Sequence, residues 1–161
     1  MPSATPSPSS AAGVSVSLHT DPIDPCQQLD QWQAQLAANP GGLPAATSLF
    51  IGRVRSRTAT GSPLDALELE HYPGMTESQL QRLATAAARR HPVAAVMVRH
   101  RVGLVLCGDA IVVLAVLADR RGPAQRCCQE LLEALKHEAP FWKREWSSGV
   151  GEWVQGNTPL A

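Results

Sequence analysis

The run Ala110–Ala118, AIVVLAVLA, contains no polar residue at any of its nine positions and is rich in β-branched side chains. It is about half of the roughly 20 residues that a membrane-spanning helix needs, so it predicts a strand buried inside a folded domain. The rest of the chain has to supply partners for that strand and cover for its side chains.

Those partners follow from local patterns. Val14–Leu18 alternates apolar and polar residues as a strand does, and Pro22 and Pro25 then break the chain before a short helix carrying Leu29, Trp32 and Leu36 on one face. Pro40-Gly41-Gly42 ends that helix, and Ala46–Val54 reads as a strand in which Gly52 permits close backbone approach. Arg53 and Arg55, two residues apart, point to the same side. A polar loop at Ser56–Pro63 leads to a period-two strand, Leu64–His71, and a turn at Tyr72-Pro73-Gly74. Thr76 and Gln79 have capping-box spacing before a helix with Leu80, Leu83, Ala84 and Ala87 on its apolar stripe, stopped by Pro92. Strands are expected within Val93–Val102 and at Leu104–Leu106, with Gly108-Asp109 turning into the buried run. A third helix is expected after Asp119-Arg120-Arg121-Gly122, with Pro123 in its first turn and Cys128, Leu131, Leu132 and Leu135 facing the core. It ends near Glu138, because Pro140 disfavours helical geometry at Ala139. A rigid turn and a tail with Trp146 and Trp153 follow. The expected class is α+β, helices covering one face of a largely antiparallel sheet.

At 161 residues the chain suits one domain, expected over residues 14–157, with a Pro/Ser/Ala-rich disordered tail at 1–13 and a short tail at 158–161. The N-terminal segment has neither the basic start nor the apolar centre of a secretory signal, which points to the cytoplasm. Fourteen basic and fourteen acidic residues cancel, leaving no overall charge with which to bind nucleic acid or an anionic membrane, so any anion site must be local. Cys26, Cys107, Cys127 and Cys128 lack C-x-x-C spacing and read as reduced, mostly packing residues; the five histidines are scattered, and no metal site is expected. P-loop, dinucleotide and nucleophile-elbow motifs are all missing.

Three places could carry chemistry. In LKHEAPFWKRE, Lys136 and Lys143 flank a stiff apolar segment; either Lys136 is a solvated cation in the last turn of a helix with Phe141 and Trp142 as core anchors, or the turn folds both ammonium groups toward one anion. At LADRRGPAQ, Arg120 and Arg121 sit where a helix start exposes free N–H groups, which is either an anion site or an ordinary loop. Arg53 or Arg55 from the second strand could join them, and a lysine held among other cations has a lowered pKa suited to acid–base or nucleophilic work. Glu70 and His71 face opposite sides of their strand and form no catalytic pair.

In order along the chain, FIGRVRS, LELEHYPGMTE, HRVGLVLCGDAIVV and LKHEAPFWKRE resemble the large, catalytic subunit of molybdopterin synthase, from about Val16 to Gln155. The resemblance implies an α/β hammerhead-type fold and a homodimer of large subunits, each binding a small ubiquitin-like subunit to make a heterotetramer. It implies sulfur transfer from the partner's C-terminal thiocarboxylate to cyclic pyranopterin monophosphate, forming the dithiolene of molybdopterin in molybdenum cofactor biosynthesis, with no cofactor. By position, Lys136 matches the catalytic lysine and Lys143 a second active-site lysine; Arg55 and Arg120 match arginines that contact substrate phosphate. Asp119 stands where the family usually has histidine; a carboxylate would repel phosphate, so Asp119 is read as orienting Arg120 or capping the helix, with no catalytic role. The alternatives are a catalytically impaired family member and a phospholigand-binding regulatory module.

Overall fold

The computed structural model describes residues 12–155, built from eight strands and three helices in two sheets. The buried run is β6 (Ala110–Ala118), paired antiparallel with both β2 (Ala46–Arg53) and β4 (Ala95–Arg101). Its outer neighbour beyond β4 is β1 (Gly13–His19), which pairs parallel, giving the order β1-β4-β6-β2. Gly13 donates its N–H to Ala94 O at 3.1 Å, so Gly13 belongs to the first strand rather than to the tail expected at 1–13; residues 1–11 lie outside the described part, as do 156–161.

Because β6 does not alternate, both of its faces need cover, and both receive it. Leu114 and Val116, with Val96 and Val98 of β4, meet α2 (Met75–Arg90) and α3 (Arg121–Glu138) through Leu80, Leu83, Leu131 and Leu135. Val113, Ala115 and Leu117 meet Trp32 of α1 (Pro25–Ala37) on the opposite face. The expectation of helices on one face is therefore corrected: an apolar strand buried on both sides needs two layers over it. Each fully buried Val or Leu in these layers contributes about 1.5–3 kcal/mol.

Helix starts also differ in detail from expectation. Asp24 caps α1, its carboxylate accepting from the N–H groups of Cys26 and Gln27. For α2 the cap position is Gly74, not Thr76: φ is +83° there, and Glu77 reaches back to accept from Gly74 N at 2.6 Å. Thr76 lies inside the first turn and is fully buried.

The second sheet has the order β5-β3-β7-β8, from β5 (Gly103–Leu106), β3 (Ala66–Glu70), β7 (Trp142–Ser147) and β8 (Val150–Trp153), all antiparallel. What reads as a tail after the rigid turn is thus a hairpin, closed by Ser148 and Gly149 at positive φ. The α3 helix ends at Glu138 as expected, and three residues, Ala139–Phe141, connect it to β7. Among the described residues no helix is long and apolar enough to cross a membrane.

Candidate active site

A cavity of about 630 Å³ opens where the two sheets meet, and both lysines of LKHEAPFWKRE line it. Lys136 lies in the last turn of α3, one turn beyond Leu132 and next to the core residue Leu135, which turns its side chain off the packed face toward the opening. Lys143 comes from β7, paired with Leu69 of β3, and shares a strand face with Glu145. The connecting turn does this by packing Phe141 against both the α2–α3 core and the Val54, Leu64 and Leu69 cluster. Trp142, a core anchor in the reading that leaves Lys136 solvated, is instead 46% exposed, because it occupies the opposite face of β7. Burial lowers the Lys143 pKa, and the positive charge of Lys136 lowers it further.

The second side of the cavity is β2 and its exit. The register of β2 against β6 shifts between Gly52 and Arg53, so that Gly52 opposes Val112 while Arg53 opposes Ala110. This bulge brings Ile111 and Arg53 to the cavity lining. A Cβ on Gly52 would lie 3.0 Å from Val112 Cγ1, which accounts for glycine at the point of closest approach. Beyond the strand, backbone bonds from Val54 N to Asp109 O and from Gly108 N to Val54 O hold the arginine segment in place. Arg53 and Arg55 both line the cavity, as expected from their spacing, and Arg57 joins them. Sequence reasoning missed Arg57, although the same period of two in RVRSR would have found it. Arg57 Nη1 donates to Gly61 O at 2.9 Å, tying the polar loop to the rim. Among the described residues Glu145 is the only carboxylate that lines the cavity, against two lysines and three arginines, a lining suited to an anionic guest.

The chain does not bring Arg120 to this site. It is the N-cap residue of α3, sixteen residues before Lys136, which places it about 24 Å away along the helix axis. Both Arg120 and Asp119 are exposed, and α3 has no side-chain cap bond, so the suggestion that Asp119 caps the helix is corrected. Cys127 and Cys128 are buried in the α2–α3 layer, and burial pushes the Cys127 thiol up to about 11. All four cysteines are free; Cys26 and Cys107 are exposed, so a packing role, expected for most of the four, holds for two, and the Cys107 thiol contacts Arg55 O at 3.5 Å.

His100 is the other residue that sequence reasoning did not single out. It lies on β4 at the inner end of the cavity, 8% exposed, with its ring stacked on Phe141 at 4.2 Å and 15°. Burial lowers its pKa to about 4.

Comparison with known proteins agrees with this geometry. A family model described as MoaE protein matches residues 19–138. The chain is 42% identical over 123 residues to the molybdopterin synthase catalytic subunit of Ralstonia nicotianae, covering 75% of this chain and 69% of that protein. It is 41% identical over 110 residues to the subunit of the same name from Escherichia coli, covering 68% and 73%. The solved molybdopterin cofactor biosynthesis protein E of Burkholderia multivorans superposes with a TM-score of 0.72 at 37% identity, covering 91% of this chain and 90% of that one. The fold also recurs, at 19% identity and a TM-score of 0.72, over 87% of this chain and 90% of that one, in the complex of subunits 1 and 2 of molybdopterin-converting factor from Helicobacter pylori. The chain belongs to the MoaE protein family.

Proposed function

We propose that the chain catalyses sulfur transfer from the C-terminal thiocarboxylate of a small ubiquitin-like subunit to cyclic pyranopterin monophosphate, making the dithiolene of molybdopterin in the cytoplasm. The observation that carries this reading is the placing of Lys136 and Lys143, from different elements, in one cation-rich cavity. A thiocarboxylate and a phosphate monoester are both anions, and both are stabilised by such a lining. Lys136 acts as the acid–base or nucleophilic amine at the reacting centre, and Lys143 and Arg55 hold the anionic substrate.

Arg120 fits this scheme only through assembly. In the homodimer core of a heterotetramer, which the family resemblance implies, an Arg120 that contacts substrate phosphate has to come from the second copy, because it lies about 24 Å from Lys136 within one chain. Mixing a Lys136→Ala protein with an Arg120→Ala protein then restores activity in part, through dimers with one intact site.

The direct test is reconstitution with thiocarboxylated small subunit and the pterin precursor. Wild type forms molybdopterin. Lys136→Ala forms none while still folding and binding the small subunit, because it removes a reacting group and no core contact. Turnover at the wild-type rate by Lys136→Ala would remove the lysine from the mechanism. A wild-type protein that binds the small subunit but forms no product would instead indicate a catalytically impaired member.

A further inference from the structure

Arg57 begins a loop that closes on itself and holds the arginine in place. Arg57 bridges antiparallel to Pro63, Thr58 N–H donates to Ser62 O at 2.8 Å, and Gly61 N–H donates to Thr58 O at 3.0 Å, with Gly61 at φ +90° making the turn. Ser62 N–H donates to Thr58 Oγ1 at 3.1 Å, a bond inside the same turn. Leu64 N–H donates to Ser56 O at 3.0 Å, and the buried Leu64 side chain anchors the returning arm beside Val54 and Leu69. Arg57 and Ala59 of this loop both line the cavity, so the loop is part of its wall.

The guanidinium is set in advance as well. Arg57 Nη1 donates to Gly61 O at 2.9 Å, which uses one N–H of the fork and leaves the others without a protein partner among the described residues. None of the ion pairs among the described residues involves Arg53, Arg55 or Arg57. The loop Ser56–Pro63 contains no acidic residue that could serve. Because the Gly61 bond already restrains the side chain, less freedom is lost when a guest arrives. Arg55 and Arg57 are two residues apart, so their Cα atoms lie within about 7 Å of one another, and both side chains line the same cavity. Two guanidinium forks so placed can donate to the terminal oxygens of one phosphate group from two directions.

We propose that Arg57 is a specificity-determining residue of the site: its free N–H groups bind the phosphate of the pterin substrate and close a clamp with Arg55. The inference rests on the sulfur-transfer reading for the identity of the guest. Its effect falls on substrate binding rather than on the chemical step, because the phosphate is held before and during the reaction.

The experiment compares wild type with Arg57→Ala, Arg57→Lys and Arg57→Gln in the full chain. Arg57→Gln keeps an N–H donor for Gly61 O but carries no charge, and Arg57→Lys keeps the charge but not the fork. Calorimetry at two salt concentrations gives the Kd for cyclic pyranopterin monophosphate, a second titration gives the Kd for the small subunit, and the reconstituted assay gives KM and kcat. Arg57→Ala is expected to raise the precursor Kd and KM about tenfold, with kcat within about threefold, as for loss of a charge-assisted contact to a bound anion. Arg57→Gln should lose as much as Arg57→Ala, Arg57→Lys should recover part, and the loss should shrink as salt rises. Small-subunit binding should not change.

Unchanged precursor affinity in Arg57→Ala would overturn the proposal. So would wild-type affinity in Arg57→Gln, which would show that the guanidinium serves only its loop, and so would a loss confined to small-subunit binding. If Arg57→Ala folds poorly, the wild-type Arg57 ¹⁵Nε resonance, assigned by its loss in Arg57→Lys, decides: a shift on adding the precursor supports the contact, and an unchanged resonance refutes it. Precursor binding that depends on Arg57 but yields no product would leave the clamp standing and end the sulfur-transfer reading. A wild-type protein that does not bind the precursor would overturn both.

Discussion

Lys136 and Lys143 reach one cavity from a helix packed on the first sheet and a strand of the second, and burial together with the charge of Lys136 lowers the Lys143 pKa. The pair is a site of stored repulsion, relieved when an anion lies between the two amines.

Lys143→Met is expected to lower sulfur transfer by about a hundredfold, comparable to loss of one charge-stabilising donor, while raising thermal stability. The sign follows from linkage. The unfolded chain binds a proton on Lys143 up to its ordinary value of 10.5, the folded chain only up to a lower one, so the cost to stability is full below the folded pKa and fades as pH rises toward 10.5. Thermal melts of both proteins at neutral and alkaline pH check this: the stability advantage of Lys143→Met should shrink at high pH.

Arg55→Ala is expected to raise KM for the pterin substrate about tenfold or more and to leave kcat within a few-fold, since a phosphate contact is present before and during reaction. Steady-state kinetics with saturating small subunit separates the two constants. A fall in kcat alone would reassign Arg55 to the reacting centre.

Asp119→His is expected to leave stability within about 0.5 kcal/mol, because the carboxylate caps nothing and lies on the surface. If Arg120 serves a second copy's substrate, removing the neighbouring negative charge tightens substrate binding at low salt, and the gain shrinks as salt rises. Weaker binding at low salt would show that Asp119 holds Arg120 in place.

His100 makes the fold sensitive to acid. Its folded pKa of about 4 lies below the ordinary 6.5, so its contribution is fully present above pH 6.5 and is lost as pH falls toward 4, roughly 3 kcal/mol in all. Urea unfolding at pH 7 and pH 4.5 should show His100→Phe losing less stability than wild type over that interval. The lowered pKa of His19 acts in the same direction, but it is common to both proteins and cancels in the comparison.

Much of this was readable in one dimension because it depends on local pattern. The unbroken apolar run specified β6, the 3.6-residue stripe specified α2 and α3, and Pro140 set the end of α3 within a residue. The lysine pair was legible as a possibility, since a stiff short turn keeps its flanking residues close. The β7–β8 hairpin was not legible, because β7 is rich in charge and is defined by pairing with β3, more than seventy residues earlier, while β8 pairs with β7 alone. His100 escaped for a similar reason: HRVG looks like any strand end until Phe141, forty-one residues later, closes over it. Arg120 failed in the opposite way, since proximity to a helix start is local but its distance from Lys136 is a property of the whole helix.

The Ala139–Phe141 connection also acts as a spacer of fixed length. Side chains on β7 alternate between the cavity and the outer face, with Lys143 and Glu145 inward and Trp142 and Arg144 outward. One residue inserted or deleted between α3 and β7, with the span of the connection unchanged so that the register of β7 against β3 slips by one, would exchange these two sets and place an indole or a guanidinium where the second amine now stands. Substitutions in this turn should therefore be tolerated far more readily than changes in its length, and a two-residue insertion should be less damaging to the site than a single one.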